Sequence, residues 1–410
     1  MRKQSCLDVT LADIQNAERA LQTYVKPSPL LFNAWLSEAL GCEIYLKLEN
    51  MQPIGSFKLR GATYKILKLS KTERKRGVIA ASAGNHAQGV AWASLQLGVS
   101  SLIVMPKGAP LVKVQNTQML GAEVVSEGEN YDEAYRAALR IARKTGRVYV
   151  HGFEDPEVIA GQGTVGLEIL KTLPDVDMVI GSVGGGGLMG GVAIAIKALK
   201  PETQIIGCQA VGAPSMLKSF QKGRAVCLEQ VETFADGIAI SAASEGIRKI
   251  LKPRLSQLLL ADDERIAAAI LMLMEKAKVV AEGAGALPLA CVQSMKKKEI
   301  RGKKVVLIIS GGNIDVNVLS RIIDRGLIRA GRRLRVNVLI SDRTGSLARL
   351  TDLMGRMGAN IIQAIHDREE PATRIDQTGV ALTLEVRGPH HGDQVIQALK
   401  EHVLRLELVG

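Results

Sequence analysis

The sequence predicts an α/β protein built on parallel sheets, followed by a smaller C-terminal domain of a different kind. Between residues 43 and about 310, short apolar and β-branched runs alternate with helical patterns, as is typical of right-handed βαβ units. After a basic stretch at 321–335, interpreted as a linker helix, the pattern changes to alternating strands around two helices. A chain of 410 residues is long enough for two or three domains.

The first part of the chain contains the predicted parallel sheets. Its predicted strands are 43–49, 78–81, 101–105, 122–126, 148–151, 177–183, 204–209 and 304–310. Its predicted helices are 64–69, 86–97, 131–144, 156–172, 188–199 and 264–281. Ligands of open α/β sheets bind beyond the carboxyl ends of the strands. We therefore look for a site in the loops that follow these strands.

The C-terminal part is predicted to be a ferredoxin-like domain. Its predicted strands are 334–340, 361–366, 380–386 and 404–409, and its predicted helices are 346–357 and 394–402. Their order is βαββαβ, which is the order of that fold. The boundary is placed near residue 331, so that the domains are 1–330 and 331–410.

Composition and charge narrow the class of protein. The chain is 47% hydrophobic and 23% charged with a net charge of +12, but its basic segments lack the interleaved aromatics that stack on bases, so nucleic acid is not an expected partner. No apolar run is long enough to span a bilayer and the N-terminus lacks a signal peptide, so no membrane partner is expected. The cysteines show no metal-ligand spacing and suggest a reducing compartment, the cytoplasm; they are Cys6, Cys42, Cys208, Cys227 and Cys291.

Lys58 is the candidate catalytic residue. It lies in Gly55-Ser56-Phe57-Lys58-Leu59-Arg60-Gly61-Ala62, between a predicted strand and a helical stretch. Backbone N–H groups at a helix start favour anions over cations, so the pKa of an amine there is expected to be depressed. A partly neutral lysine forms Schiff bases. For this segment alone, an ordinary solvated lysine is the alternative.

A second loop, Ser82-Ala83-Gly84-Asn85-His86-Ala87-Gln88-Gly89, follows the predicted strand 78–81 and opens a helix. Its N–H groups and the Ser82 hydroxyl form a nest suited to a carboxylate. Asn85 offers an amide donor for a phenolate oxygen, although a simple N-cap by Ser82 or Asn85 is the alternative. His86 is expected to pack on the helix or line the loop rather than to act as a base.

A third loop is rich in glycine and links an apolar strand to a helix. Its sequence is Gly181-Ser182-Val183-Gly184-Gly185-Gly186-Gly187-Leu188-Met189-Gly190, in which the bare N–H groups suit a phosphate. The window 185–190 also matches the G-x-G-x-x-G of dinucleotide sites. That fingerprint requires an acidic residue at the end of the next strand, where this chain has Gly207-Cys208-Gln209. A lone phosphate therefore fits better.

A fourth loop, Ser310-Gly311-Gly312-Asn313, follows the buried strand 304–310. The Ser310 hydroxyl can meet a ring nitrogen without forcing its protonation, or can simply cap the next helix. A lysine amine, a phosphate cradle, a phenolate donor and a neutral partner for a ring nitrogen are together what pyridoxal 5′-phosphate requires.

With these four loops, the chain resembles the threonine ammonia-lyase (threonine dehydratase) family of fold-type II pyridoxal-phosphate enzymes. The resemblance covers residues 5–328 and includes two further motifs, Val158-Ile159-Ala160-Gly161-Gln162-Gly163-Thr164 and Glu282-Gly283-Ala284-Gly285-Ala286-Leu287. It implies a tryptophan-synthase-β-like fold of two open α/β subdomains, with the smaller one inserted at about 55–150. The C-terminal part looks like an amino-acid-binding regulatory (ACT) domain.

The resemblance also implies roles for individual residues. Lys58 would carry the cofactor as a Schiff base. The substrate carboxylate would be held by Ser82, Ala83, Gly84, Asn85 and His86. Asp236-Gly237 matches a loop near the substrate. The remaining cofactor contacts would come from Phe57 beside the ring, Asn85 at the ring oxygen, Gly184, Gly185, Gly186, Gly187 and Leu188 at the phosphate, and Ser310 at the ring nitrogen.

Three departures from family patterns bear on function. Serine racemases of the family have a serine where this chain has Ala83, so racemisation is disfavoured. They have carboxylates at the positions of Gln209 and Ser215, so no tight divalent metal site is expected, while a monovalent cation on backbone oxygens stays open. Thr344 stands where the C-terminal domain usually has proline, which bears on effector binding.

The implied reaction is dehydration and deamination of L-threonine to 2-oxobutanoate and ammonia, with L-serine as a further substrate. Lys58 would take the α-proton, and the cofactor phosphate would protonate the leaving hydroxyl. The alternatives are an L-serine ammonia-lyase, a serine racemase, a β-replacement enzyme that makes cysteine, and a binding module with a degenerate site.

We also expect a homo-oligomer, a dimer or tetramer. An amino-acid effector is expected to bind near Asp342, Thr344 and Gly345 between paired copies; a purely structural dimerisation lobe is the alternative.

Overall fold

In the computed structural model the chain divides into two units, Met1–Ile314 and Asp315–Gly410. Residues 7–368 and 374–409 are described, and Cys6 and segment 1–5 lie outside them. The helices are α1 (Leu11–Leu21), α2 (Ala34–Leu40), α3 (Lys58–Leu67), α4 (Lys71–Arg76), α5 (Asn85–Leu97), α6 (Leu111–Met119), α7 (Tyr131–Thr145), α8 (Pro156–Thr172), α9 (Gly187–Leu199), α10 (Ser215–Lys222), α11 (Glu245–Leu251), α12 (Asp263–Met272), α13 (Gly283–Val292), α14 (Lys297–Ile300), α15 (Val316–Arg329), α16 (Ser346–Met357) and α17 (Pro389–His402). The strands are β1 (Leu30–Phe32), β2 (Glu43–Leu48), β3 (Val78–Ala81), β4 (Ser101–Met105), β5 (Glu123–Ser126), β6 (Val148–Tyr149), β7 (Met178–Ser182), β8 (Gln204–Ala210), β9 (Gln257–Ala261), β10 (Lys304–Ile309), β11 (Arg333–Ser341), β12 (Asn360–Asp367), β13 (Gln377–Glu385) and β14 (Arg405–Leu408).

The first unit contains a six-stranded sheet of order β1-β2-β10-β7-β8-β9. All neighbouring pairs are parallel except β1 with β2. Strands β7 and β10 are buried along almost their whole length, as expected for strands covered on both faces by helices. The predicted α/β class is confirmed, and β2, β10 and β7 are direct neighbours at the centre of the sheet.

A second, four-stranded parallel sheet of order β5-β4-β3-β6 lies within the same unit. It is formed by residues between β2 and β7 in the chain. Helices α5 and α7 pack on it through small side chains such as Ala87, Ala134 and Ala138. This sheet places the loop that follows β3, which carries Asn85, next to the centre of the larger sheet.

The second unit contains a four-stranded antiparallel sheet of order β12-β13-β11-β14. In chain order its elements after α15 are β11, α16, β12, β13, α17 and β14, so the predicted βαββαβ order is confirmed. Alternate residues of β11 and β13, such as Val336, Val338 and Leu382, are buried with residues of α16 and α17, because strand side chains alternate between faces.

Several local predictions differ from the structure. Helix α3 begins at Lys58 rather than at residue 64. The predicted helix 264–281 is shorter in the structure, where α12 ends at Met272 and a π turn follows over Leu273–Ala277. Basic segment 321–335 was interpreted as a linker helix, but α15 spans Val316–Arg329 and β11 begins at Arg333. Element ends depend on tertiary packing, which sequence patterns record least well.

A buried ionic cluster holds the start of α3. Nε and one Nη of Arg60 donate to Glu49 at 2.8 and 2.9 Å, and its two Nη atoms donate to Glu168 at 2.6 and 2.9 Å. Lys47 donates to Glu168 at 2.5 Å. Arg60, Lys47 and Glu49 are almost fully buried, so the paired charges offset one another inside the protein. The cluster ties α3 to β2 and α8.

Within residues 7–368 and 374–409, none of the helices is long and apolar enough to cross a bilayer. No group of three or more His, Cys, Asp or Glu side chains in those ranges is arranged to hold a metal ion.

Candidate active site

Three of the predicted loops meet at the carboxyl ends of β2, β10 and β7. The segment that precedes Lys58 pairs directly with the loop after β10, because the Phe57 N–H donates to Ser310 O at 3.1 Å and the Gly312 N–H donates to Gly55 O at 2.9 Å. Ser310 itself is buried. The lysine segment and the serine loop are therefore held together by backbone hydrogen bonds.

The Lys58 amine is held in a partly buried position at the first residue of α3. Its Nζ donates to Gly152 O at 2.7 Å and lies 5.1 Å from the centre of the Phe57 ring. Burial lowers the pKa of Lys58 from its ordinary value to about 8, while the charge of Glu282 opposes that shift. Near neutral pH a sizeable fraction of this amine is consequently unprotonated and nucleophilic.

Three helices begin around this lysine without a capping side chain. The N-cap residues of α3, α5 and α9 are Phe57, Gly84 and Gly186, and in the described part of the chain no side chain bonds to the first N–H groups of these helices. By contrast, α1, α7, α8 and α12 are capped in the usual way by Thr10, Asn130, Asp155 and Asp262. Uncapped N–H groups are ready donors for anions.

The glycine loop at the start of α9 is bare because its neighbours leave no room for side chains. A Cβ atom at Gly185 would lie 2.2 Å from the Phe153 ring, and one at Gly187 would lie 2.9 Å from Phe153 O. Gly186 has a φ of 83°, a value that glycine adopts readily. Since Phe153 follows Gly152, whose carbonyl accepts from Lys58, the glycine loop and the lysine flank the same turn.

Asn85, the predicted partner of a ring oxygen, belongs to a hydrogen-bonded chain. Its Nδ2 donates to the two carboxylate oxygens of Glu282 at 2.8 and 3.0 Å, and its Oδ1 accepts from Asn313 Nδ2 at 2.7 Å. Ser82 Oγ accepts from the Gly84 N–H at 3.1 Å. The amide of Asn85 therefore has a fixed orientation beside the start of α5.

His86 is buried and neutral. Its Nε2 donates to Val150 O at 2.9 Å, which requires the proton to be on Nε2. Burial, together with the nearby charge of Lys58, lowers the pKa of His86 to about 3. Its Nδ1 is buried and has no hydrogen-bond partner among the described residues. His86 thus lines the loop as expected, with one acceptor left for a bound molecule.

The loop of Asp236 and Gly237, which the resemblance places near the substrate, has neighbours in two parts of the first unit. Asp236 Oδ2 accepts from Lys113 Nζ of α6 at 2.9 Å, and a Cβ at Gly184 would lie 2.9 Å from Gly237 O. This loop therefore contacts the glycine loop on one side and α6 on the other. Ala83 is partly buried and packs on the core of the smaller sheet.

Gln209, one of the two positions at which no tight divalent metal site is expected, has a side chain that is fully hydrogen-bonded. Its Nε2 donates to Val183 O at 3.0 Å and to Ala213 O at 3.3 Å, and its Oε1 accepts from the Leu217 N–H at 2.9 Å. An uncharged amide therefore satisfies two backbone oxygens that converge behind the glycine loop. The Ser215 hydroxyl is buried and unpaired among the described residues.

Sequence reasoning missed three residues of this site. Gly152 and Phe153 follow β6 and so obey the rule that sites form at strand ends, but no motif singled them out. Glu282 was noted only as part of a family motif, without a role. Its carboxylate faces Asn85 and its charge influences Lys58.

The predicted effector residues lie in the second unit at the turn between β11 and α16. Gly345 has a φ of 81° and precedes α16 without a capping side chain in the described residues, and Thr344 is exposed. Asp342 Oδ1 forms an ion pair with Arg368 Nη2 at 3.0 Å. Backbone oxygens already accept from the N–H groups of Asp342, Arg343 and Ser346 at this turn.

The site fits pyridoxal phosphate on its own chemistry. It offers a partly neutral lysine, a glycine-built helix start with bare N–H groups, and a buried His86 acceptor without a partner in the described chain. A phosphate would be held by Gly184 to Leu188, the aldehyde by the amine of Lys58, and ring atoms by Asn85 and Ser310.

Known proteins agree with this fit. Residues 21–311 match the family described as pyridoxal-phosphate dependent enzyme. An L-threonine ammonia-lyase of Thermotoga maritima is 48% identical over 402 residues, which is 98% of this chain and 100% of that relative. An L-threonine ammonia-lyase of Geobacter sulfurreducens is 43% identical over 387 residues, or 94% and 96% of the two chains. The processed form of threonine deaminase isoform 2 from Solanum lycopersicum superposes with a TM-score of 0.74 at 39% identity, covering 77% of this chain and 86% of the other. The chain therefore belongs to the family of pyridoxal-phosphate dependent enzymes.

Proposed function

We propose that the protein converts L-threonine to 2-oxobutanoate and ammonia. The observation that carries this proposal is the Lys58 amine, which has a pKa of about 8 and sits across one turn from an uncapped, glycine-built helix start. The relatives named as L-threonine ammonia-lyases share 48% and 43% of their residues with nearly the whole chain. They support threonine as the substrate.

The residues of the site have distinct tasks in this proposal. When bound, pyridoxal phosphate supplies an electron sink that stabilises negative charge at the substrate α-carbon. Lys58 anchors the cofactor and, once released, takes the α-proton; with a pKa of about 8, roughly one tenth of such an amine is neutral at pH 7. The loop from Ser82 to His86 holds the substrate carboxylate at the start of α5. Loss of the β-hydroxyl and hydrolysis of the enamine then yield the keto acid and ammonia.

L-Serine is proposed as a second substrate, because it differs from threonine by one methyl group at the carbon that loses the hydroxyl. A pocket discriminates weakly against a missing methyl, by about 10- to 200-fold. Racemisation is not proposed, since Ala83 has no exchangeable proton with which to act on the second face of the α-carbon.

The direct test is keto-acid production by the purified full-length protein, supplied with pyridoxal phosphate and L-threonine. The variant Lys58→Ala should lose at least about a thousandfold in kcat/KM. The matched control is Lys68→Ala, since Lys68 is exposed just after α3 ends, and it should retain the wild-type rate. Keto acid formed equally well by Lys58→Ala would overturn the proposal.

We further propose that residues 331–410 regulate the enzyme by binding an amino acid at the turn of Asp342, Thr344 and Gly345. The start of α16, whose N-cap Gly345 precedes it without a capping side chain in the described residues, supports a carboxylate ligand there. A kinetic screen of the standard amino acids on the full-length enzyme tests this proposal. An effect that persists when Thr344 is replaced by tryptophan would place the effector elsewhere.

Self-association, as a dimer or tetramer, is proposed on the exposed apolar side chains of the edge strand β12. Ile362 and Ile365 on this strand are 47% and 51% exposed, and an unpaired edge strand is a ready surface for a second copy. Light scattering of the full-length protein measures the mass directly, and a monomer at micromolar concentration would contradict the proposal.

The free thiols Cys42, Cys208, Cys227 and Cys291 support a reducing compartment, the cytoplasm.

A further inference from the structure

Glu282 has an unusual place for a residue that begins a helix. It immediately precedes α13, yet its carboxylate does not cap that helix. Its N–H donates to Gly311 O at 3.0 Å, which ties it to the loop after β10. Both carboxylate oxygens instead accept from Asn85 Nδ2, at 2.8 and 3.0 Å. The side chain thus reaches across to the start of α5.

This contact decides which way the Asn85 amide points. A carboxylate can only accept, so Asn85 must turn its NH₂ group toward Glu282 and its oxygen away. That oxygen then accepts from Asn313, whose Nδ2 also donates to Ile54 O at 2.8 Å. A Cβ atom at Gly55 would lie 2.4 Å from Asn313 Oδ1, so this end of the chain is tightly packed. Glu282 therefore orients a chain of amides that ends four residues before Lys58.

The charges around Glu282 are few. Burial raises the pKa of Glu282, while the Asn85 hydrogen bond, Lys113 and Lys58 lower it and Asp236 raises it. His86, whose pKa the charge of Lys58 helps to lower, is neutral because its pKa is about 3. Glu282 is the group whose charge raises the pKa of Lys58 against the lowering by burial. Removing this charge would leave burial unopposed.

We propose that Glu282 is a positioning residue of the active site, whose carboxylate fixes the side-chain amide of Asn85 and supplies negative charge to the Lys58 amine. This inference deepens the proposed function and rests on it, because both assign the chemistry to Lys58. It adds a carboxylate to the lysine, side-chain amides and backbone N–H groups of the site.

Two variants separate the two tasks of Glu282. Glu282→Gln keeps an oxygen acceptor but removes the charge, whereas Glu282→Asp keeps the charge but is one methylene too short to reach Asn85. Glu129→Gln is the matched control, because it removes the same charge from an exposed side chain. In full-length protein freed of cofactor, the rate at which cyanate carbamylates Lys58 is followed against pH by mass spectrometry. Cofactor affinity is measured separately by fluorescence titration.

The wild type and Glu129→Gln should show a midpoint near pH 8 for Lys58. In Glu282→Gln the midpoint should fall by about one unit or more, so that Lys58 reacts roughly tenfold faster at pH 6.5. In Glu282→Asp it should stay near 8, while cofactor affinity falls about tenfold because Asn85 is no longer held.

An unchanged midpoint in Glu282→Gln would overturn the electrostatic part of the proposal. Unchanged cofactor affinity in Glu282→Asp would overturn the positioning part. Neither measurement uses threonine, whereas failure of the proposed function would appear as missing keto acid from the wild type. The two failures are therefore distinguishable.

Discussion

The variant Gly185→Ala tests whether the glycine loop holds a phosphate. The added methyl group would lie 2.2 Å from the Phe153 ring, whereas carbon atoms normally approach to about 3.5 Å. A gap of more than 1 Å must therefore open. Phe153 cannot easily supply it, because its ring packs on His151 with centroids 4.6 Å apart and its backbone lies against Gly187. The loop itself is expected to move.

A displacement of about 1 Å takes the N–H groups of the loop out of hydrogen-bond range of a bound anion. A hydrogen bond to a charged group is worth about 1.5 to 3 kcal/mol. Losing one such bond weakens cofactor binding by roughly tenfold to a hundredfold. The assay is fluorescence titration of the cofactor-free full-length protein with pyridoxal phosphate.

Gly190→Ala is the matched control. Gly190 lies three residues into α9, and a Cβ atom there would make only an ordinary contact, 3.5 Å from Ile250. Alanine is also the better helix former, by about 1 kcal/mol. We expect this variant to bind the cofactor as the wild type does and to be at least as stable. Affinity of Gly185→Ala within about threefold of the wild type, or an equal loss in both variants, would refute the reasoning.

Two further predictions concern the support of the site. Arg60→Met leaves Glu49 and Glu168 without their main partner, at a cost of about 3 to 5 kcal/mol, so the melting temperature should fall by roughly 10 °C; a fall of less than about 2 °C in a thermal melt would contradict the structural importance of the cluster. Gln209→Glu points a carboxylate oxygen at backbone oxygens and leaves them without a donor, so the melting temperature should fall by about 5 °C. Added K⁺ or Ca²⁺ should raise it again, because a cation can bind between these oxygens. Thermal melts with and without these ions test this, and an equal response of the wild type would show that Gln209 does not substitute for a cation.

Much of the site could be predicted because its chemistry lies in continuous segments at strand ends. Ser310 directly follows β10, Lys58 begins α3 after the turn that follows β2, and the glycine loop continues from β7. Parallel strands place such ends at one edge, so the motifs alone indicated one ligand. The order β2-β10-β7, which makes these loops neighbours, is not written in any one segment, because it depends on how distant strands pair.

The residues that sequence reasoning missed share a physical cause. Gly152 contributes a backbone carbonyl to Lys58, and Phe153 contributes the flank that keeps Gly185 bare; neither needs a distinctive side-chain pattern. Glu282 contacts a residue 197 positions away in the chain, so no local spacing indicates its role. Functions that depend on shape or on distant contacts become visible only in the fold.

The most direct test of the central claim is chemical labelling of the lysine. The purified full-length protein is incubated with pyridoxal phosphate, treated with borohydride, digested and mapped by mass spectrometry. The account predicts a yellow protein in which the label lies on Lys58, and a colourless, unlabelled Lys58→Ala variant. Label on a different lysine, or a Lys58→Ala variant that still binds the cofactor covalently, would contradict it.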